Sequence, residues 1–270
     1  MICFSASLFF HQKVLSLGRQ GLLWILVFWV IGCTGFDQTD VRSSAPRVLE
    51  GQALIEKLKR NNSDLKTFKG VGSLRLKNDG NLQTLRVAWM GESPEKLRIE
   101  ALAISGQPMA SFAGDGEWLY FLFHAEKKYY KKRYEKGFDQ FLSIPVHPRE
   151  MIALLSGKIP VEAHHTVDLI NDPDSPGYIL ILKKRWQGIV EKIYLDSEKQ
   201  EVLKIECFDG QGALSFRVQR DQFQAVTGFN IPFLIHASDN DGSFFELTVQ
   251  RCWTNVPVDP EGFAIYPKAG

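Results

Sequence analysis

From Phe68 onward apolar residues fall at every second position, and that period leaves the chain little but β-structure to fold into. Phe68, Gly70, Gly72, Leu74 and Leu76 alternate with Lys69, Val71, Ser73, Arg75 and Lys77. Asn78-Asp79-Gly80-Asn81 then supplies a hairpin turn. Leu85, Val87 and Trp89 mark a second strand, and Leu97, Ile99, Ala101 and Ala103 a third. Met109–Ala113 forms a fourth, turned by Gly114-Asp115-Gly116 into Trp118–Phe123. The last of these is apolar on both faces, so both sides are expected to be covered. Strands resume at Thr166–Asn171, Tyr178–Lys184, Val190–Leu195, Glu201–Phe208, Ala213–Phe223, Pro232–Ala237 and Phe244–Arg251, separated by turns rich in Asp, Gly and Pro. About eleven short strands in tandem hairpins predict a mainly β (α+β) fold: a single antiparallel sheet curled into an incomplete barrel.

Helical spacing is confined to two places. Gly51–Asn61 sets Leu54 and Leu58 four apart, with Glu56, Lys57, Lys59 and Arg60 on other faces. In the middle of the chain, Phe138–Ile144 and Pro148–Ser156 are spaced alike, and Gly157 is the stop. An N-terminal helix and a central helical insert are therefore available to cover the concave face of the sheet.

The N-terminus points to export. An uncharged run from Leu22 to Ile31 follows Lys13 and Arg19 and ends in Gly32-Cys33. That run is about half the length that spans a bilayer as a helix, which suits a secretory signal. Val30-Ile31-Gly32-Cys33 resembles the bacterial lipobox, in which the thiol is acylated and the chain cut before it. An ordinary signal with a chance Cys, or an uncleaved anchor, is the alternative. Met1–Phe10 is apolar too, so the signal is long or its start lies downstream. The expected organisation is a signal peptide over 1–32, a lipidated N-terminus and tether over 33–49, a β domain over 50–258 and a tail over 259–270.

Composition and motifs exclude more than they assign. After Cys33 the chain holds 30 basic and 31 acidic residues, a net charge of −1, which argues against a nucleic-acid partner. Strand parity puts Cys207 with Leu203 and Ile205 but Cys252 with Glu246, Thr248 and Gln250, so two separate thiols are expected. Neither has the spacing of a metal or redox motif. Adjacent His164 and His165 on a strand would point to opposite faces and could not chelate one ion together. There is no G-x-S-x-G elbow, phosphate loop or nucleophile–base pair, so no catalytic residue, metal or cofactor is assigned. Lys127–Tyr134, five basic residues and three tyrosines within one stretch, suits a solvent-facing hairpin strand, or else a patch for anionic headgroups.

Three segments carry a family resemblance. Leu97–Pro108 resembles a strand–loop–strand of the LolA/LolB lipoprotein-localisation family. Leu142–Val146 followed by Met151–Pro160 resembles its central helix, ending in Gly-x-x-Pro. Gly228-Phe229-Asn230-Ile231-Pro232, with the strand ending at Trp253, resembles its closing hairpin. The details look nearest to the membrane-anchored LolB branch. The resemblance implies a non-enzymatic monomer with a hydrophobic cavity for acyl chains of lipoproteins or lipids. Leu74, Leu76, Leu85, Val87, Trp89, Leu97, Ile99, Trp118, Tyr120, Leu122, Met151 and Leu155 are its candidate lining, with ordinary core packing as the alternative for each. The exposed Leu of the LolB loop that aids membrane transfer has Ile104 at the nearest position here. Thr34 stands where Asp would resemble an inner-membrane retention signal; in a Gram-negative source this implies the outer membrane, with the domain facing the periplasm and a periplasmic lipoprotein carrier as a partner. A scaffolding lipoprotein with a filled core and a protein partner is the competing reading.

Overall fold

The computed structural model describes residues 39–78, 80–134 and 144–266. The signal, Cys33 and residues 138–143 of the helix expected over Phe138–Ile144 lie outside them. Helix α1 runs Thr39–Arg60, beginning well before the expected Gly51, and its last turn carries Lys57, Lys59 and Arg60, which suits the negative end of the helix dipole. Among the described residues thirteen strands follow: β1 Thr67–Asn78, β2 Asn81–Glu92, β3 Lys96–Leu102, β4 Pro108–Gly114, β5 Trp118–Phe123, β6 Lys128–Arg133, β7 Thr166–Asn171, β8 Tyr178–Lys184, β9 Gly188–Leu195, β10 Val202–Phe208, β11 Leu214–Val226, β12 Phe229–Ser238 and β13 Phe244–Thr254. Helix α2, Pro148–Leu155, sits between β6 and β7.

All thirteen strands form one antiparallel sheet in the order β6-β5-β4-β3-β2-β1-β13-β12-β11-β10-β9-β8-β7. The sheet is not closed into a barrel: consecutive strands β6 and β7 are its two free edges, and the insert carrying α2 joins them. The count exceeds the expected eleven partly because the basic stretch supplies an edge strand. Lys128, Lys131, Lys132 and Arg133 suit that position, since charge on an edge discourages pairing with another chain. Helix α2 contacts both β3 and β12, four strands apart. On a flat sheet that is about 19 Å, wider than a helix, so the sheet must curl around it.

One core lies between sheet and helices. Ile55 and Leu58 of α1 and Met151, Ile152, Leu154 and Leu155 of α2 pack with Phe68, Leu97, Phe121, Leu180, Ile193, Val218, Ile235 and Leu247 from across the sheet. Two glycines let large rings lie flat on this face. A Cβ on Gly70 would come 2.2 Å from the Trp89 ring, and one on Gly91 would come 2.3 Å from Phe68. A smaller cluster forms on the opposite face, where Tyr120 and Ala113 meet Ile265, with Trp118 and Leu122 beside them. Both faces of β5 are thus covered, as its sequence requires. Residues 259–266, expected as a tail, are part of the packing: Arg98 donates to the Gly262 carbonyl (2.8 Å) and Phe263 is fully buried.

Cys207 and Cys252 are both free, but parity is the wrong reason. A bulge at Val71/Gly72 shifts the β1–β13 register and turns Cys252 toward the core, where it packs. A second irregularity at Val202/Lys204 leaves Leu203 exposed while Ile205 and Cys207 are buried.

Candidate functional site

The helix-covered face takes nine of the twelve candidate lining residues. Val87, Trp89, Leu97, Met151 and Leu155 are buried members of its core, and Leu74, Leu76, Leu85 and Ile99 pack against them. Trp118, Tyr120 and Leu122 are on the other side of the sheet. Leu119 and Phe121 take their place, paired with Gly114 and Phe112 of β4. A strand apolar on both faces gives parity nothing to choose by, and only the register with β4 settles it. None of the twelve lines either of the two clefts described below. In this state the face is packed.

Helix α2 fills that face and is held by polar side chains at its exit. His147 and Glu150 form a capping box, with the Glu150 carboxylate accepting from the His147 N–H at 2.6 Å. At the other end Gly157 is left-handed (φ 70°), and a Cβ there would meet the Asn230 carbonyl at 2.3 Å, so glycine is required. Asn62 donates to the carbonyls of Ser156 (3.0 Å) and Asn230 (2.8 Å). Arg220 of β11 reaches across to the carbonyls of Gly157 (3.4 Å), Lys158 (3.3 Å) and Val202 (3.2 Å). Burial pulls the Arg220 guanidinium down to about 10, which leaves it charged at neutral pH. It lines a polar cleft of about 280 Å³ together with Asn61, Asn62, Gln200, Glu201 and Asn230.

A second polar group is buried under the insert. Glu191 of β9 is 1% exposed; one carboxyl oxygen accepts from the Glu162 N–H (2.8 Å) and the other has no partner among the described residues. Burial pushes it up to about 8, and Glu150 up to about 7. Cys207 is paired opposite Glu191, and burial with these nearby carboxyls pushes its thiol far upward. A protonated, unreactive thiol beside a neutral acid is neither a nucleophile nor a ligand set. Among the described residues no group of three His, Cys, Asp or Glu side chains could hold a metal ion. His164 is bound to the Glu162 carbonyl (2.8 Å), and His165 accepts from the Arg185 N–H (3.3 Å).

The structure does bring together one constellation that sequence reasoning missed. The Ser111 hydroxyl lies within hydrogen-bonding reach of Glu100 Oε2 and 2.7 Å from His124 Nε2. Arg98 in turn donates to Glu100 (2.6 Å). A hydroxyl has one proton, and with the carboxylate accepting it, His124 must present an N–H to the serine oxygen. The trio ties β3, β4 and the end of β5 together. Only the register Glu100↔Ser111 could have revealed it.

Among the described residues the two most exposed large apolar side chains share one rim. Ile104, 98% exposed, tips the β3–β4 connection, where Gly106 N–H donates to the Ala103 carbonyl (2.9 Å). Trp186, 88% exposed, tips the β8–β9 turn. Antiparallel alternation puts the β1–β2 and β3–β4 turns at one end of the sheet. The pairing of β1 with β13 then brings the β12–β13, β10–β11 and β8–β9 turns to that same end. Among the described residues no helix is long and apolar enough to cross a membrane.

No protein-family model and no curated protein matches the chain. Solved structures do. A DUF1329 family protein from Desulfovibrio piger superposes with a TM-score of 0.61 at 10% identity, over 81% of this chain and 97% of that one. An outer membrane lipoprotein-sorting protein domain from Vibrio parahaemolyticus gives 0.56 at 12% identity, over 81% and 97%. A LolA superfamily protein from Nitrosomonas europaea gives 0.56 at 14% identity, over 80% and 97%. The fold is LolA-like. At identities of 10–14% the likeness is one of fold alone. Nothing in the comparisons singles out the LolB branch.

Proposed function

We propose that the chain is a lipoprotein anchored through Cys33 that binds acyl chains of lipoproteins or lipids on the helix-covered face of its LolA-like sheet. Its seat is the periplasmic side of a bacterial outer membrane, where it receives cargo from a periplasmic carrier. The observation that carries this reading is α2. An eight-residue helix lays Met151, Ile152, Leu154 and Leu155 into the sheet face, and an acyl chain offers the same surface. Burying a methylene is worth about 0.8 kcal/mol, so a chain of ordinary length could replace the contacts that α2 gives up. Ile104 and Trp186 fit the same picture, since apolar and aromatic tips on one rim are what a protein touching a bilayer interface exposes. Native mass spectrometry of the full chain, purified from membranes in a neutral detergent, tests the reading. Retained acylated species are expected; a protein that neither retains nor takes up acyl chains overturns it.

The closed state of the interior favours a second reading, a scaffolding lipoprotein that holds a protein partner. The same experiment separates the two, because a scaffold with a permanently filled core takes up no lipid.

A further inference from the structure

A second cleft of about 280 Å³ opens beside α2, and its lining divides by chemistry. Ile152, Ile159 and Val161, with Pro94 and Ala153, give an apolar floor, and Ile152 and Ile159 continue into the core. Lys59, Arg149 and Lys158 give three cations, and among the described residues no carboxylate lines it. Lys59 and Arg149 are half-spent outside the cleft, paired with Glu56 (3.0 Å) and Glu95. Lys158 is different. Its ammonium donates to the Leu65 carbonyl (2.8 Å) and to Ser93 Oγ (2.9 Å), both neutral, which leaves one of its three donors without an acceptor among the described residues. Burial and the neighbouring Lys66 pull it below the usual lysine range, with Asp64 opposing. A partly desolvated ammonium facing neutral oxygens is stabilised by an anion, and charge-assisted hydrogen bonds are the strong ones. Ser93 belongs to the β2–β3 connection, so the cleft lies toward the end of the sheet opposite Ile104 and Trp186.

We propose that this cleft binds the anionic phosphate headgroup of a membrane lipid, with Lys158, Arg149 and Lys59 around the phosphate and the acyl chain running over Ile152 and Ile159 toward the sheet. The inference rests on the acyl-binding reading above and adds the headgroup chemistry and the end at which cargo enters. Loading and membrane contact then use opposite ends of the sheet.

The test is a titration of the full chain in neutral maltoside micelles with fluorescently labelled phosphatidic acid and with diacylglycerol of the same chains, which lacks the phosphate. Phosphatidic acid is expected to bind about tenfold more tightly, the value of one hydrogen bond to a charged group. Lys158→Met should abolish that preference while leaving diacylglycerol binding in place. Arg149→Gln alters an exposed side chain and so spares the fold; it should weaken phosphatidic acid binding several-fold. Equal binding of the two lipids, or a preference unmoved in both variants, overturns the headgroup site and leaves acyl binding standing. Displacement of the lipid by inorganic phosphate at equal concentration overturns the lipid as occupant. Binding of neither lipid overturns both readings.

Discussion

The side-chain amide of Asn62, two residues past the end of α1, donates to the carbonyl of Ser156, the residue that caps α2, at 3.0 Å. Through Asn62 the end of one helix holds the end of the other, and Arg220 holds the next two carbonyls from the sheet below. Whatever moves α2 must release these bonds first.

Arg220→Met is expected to destabilise the protein by about 3 kcal/mol. The substitution keeps bulk but leaves three carbonyls without their donor. Urea unfolding measures the cost, and a change below about 0.5 kcal/mol would show that the guanidinium is not what holds the insert.

Glu191 makes stability depend on pH in a stated direction. Unfolded, its carboxyl titrates near 4.5; folded, at about 8. Between those values the folded state keeps a proton that the unfolded state has released, so stability falls as pH rises through that window. Glu191→Gln should flatten the fall without removing it, since Glu150, raised to about 7, contributes with the same sign. Unfolding free energies at pH 5 and pH 8 decide; equal slopes in wild type and variant would refute the assignment.

Gly70→Ala puts a methyl where the Trp89 ring lies. The ring sits in a packed core and cannot yield freely, so a loss of about 1–3 kcal/mol is expected. Thermal melts of the variant check it. An unchanged midpoint would mean that the ring can shift.

Ile104→Asp should leave the unfolding free energy within about 0.5 kcal/mol of wild type, because the side chain is almost wholly in solvent. Delivery of acylated cargo to liposomes should fall. Unchanged delivery would remove this tip from the mechanism.

The period of two made the sheet legible, because one covered face forces alternation over most strands from Phe68 to Arg251. Gly157 was legible as a helix stop for a backbone reason that the structure shares. Parity failed where its premise failed. Bulges turned Cys252 and Leu203 over, and in β5 apolar residues on both faces left Trp118, Tyr120 and Leu122 indistinguishable from Leu119 and Phe121. Lys158 and Arg220 carried no signal at all: their roles come from carbonyls and clefts assembled by strands far apart in sequence. Phe263 looked like a tail residue because a single ring has no period to read.

The order of strands has a consequence for how the molecule is put together. β1–β6 and β7–β13 are two ribbons in which every strand pairs with its neighbour in sequence, and they meet along one seam, β1 against β13, where Phe68 faces Thr254. Every other ladder can zip locally, whereas the seam must close a loop of almost the whole domain. Assembly therefore ends at the seam. A nick in the β6–β7 connection would leave every ladder intact and turn one chain into two complementary halves.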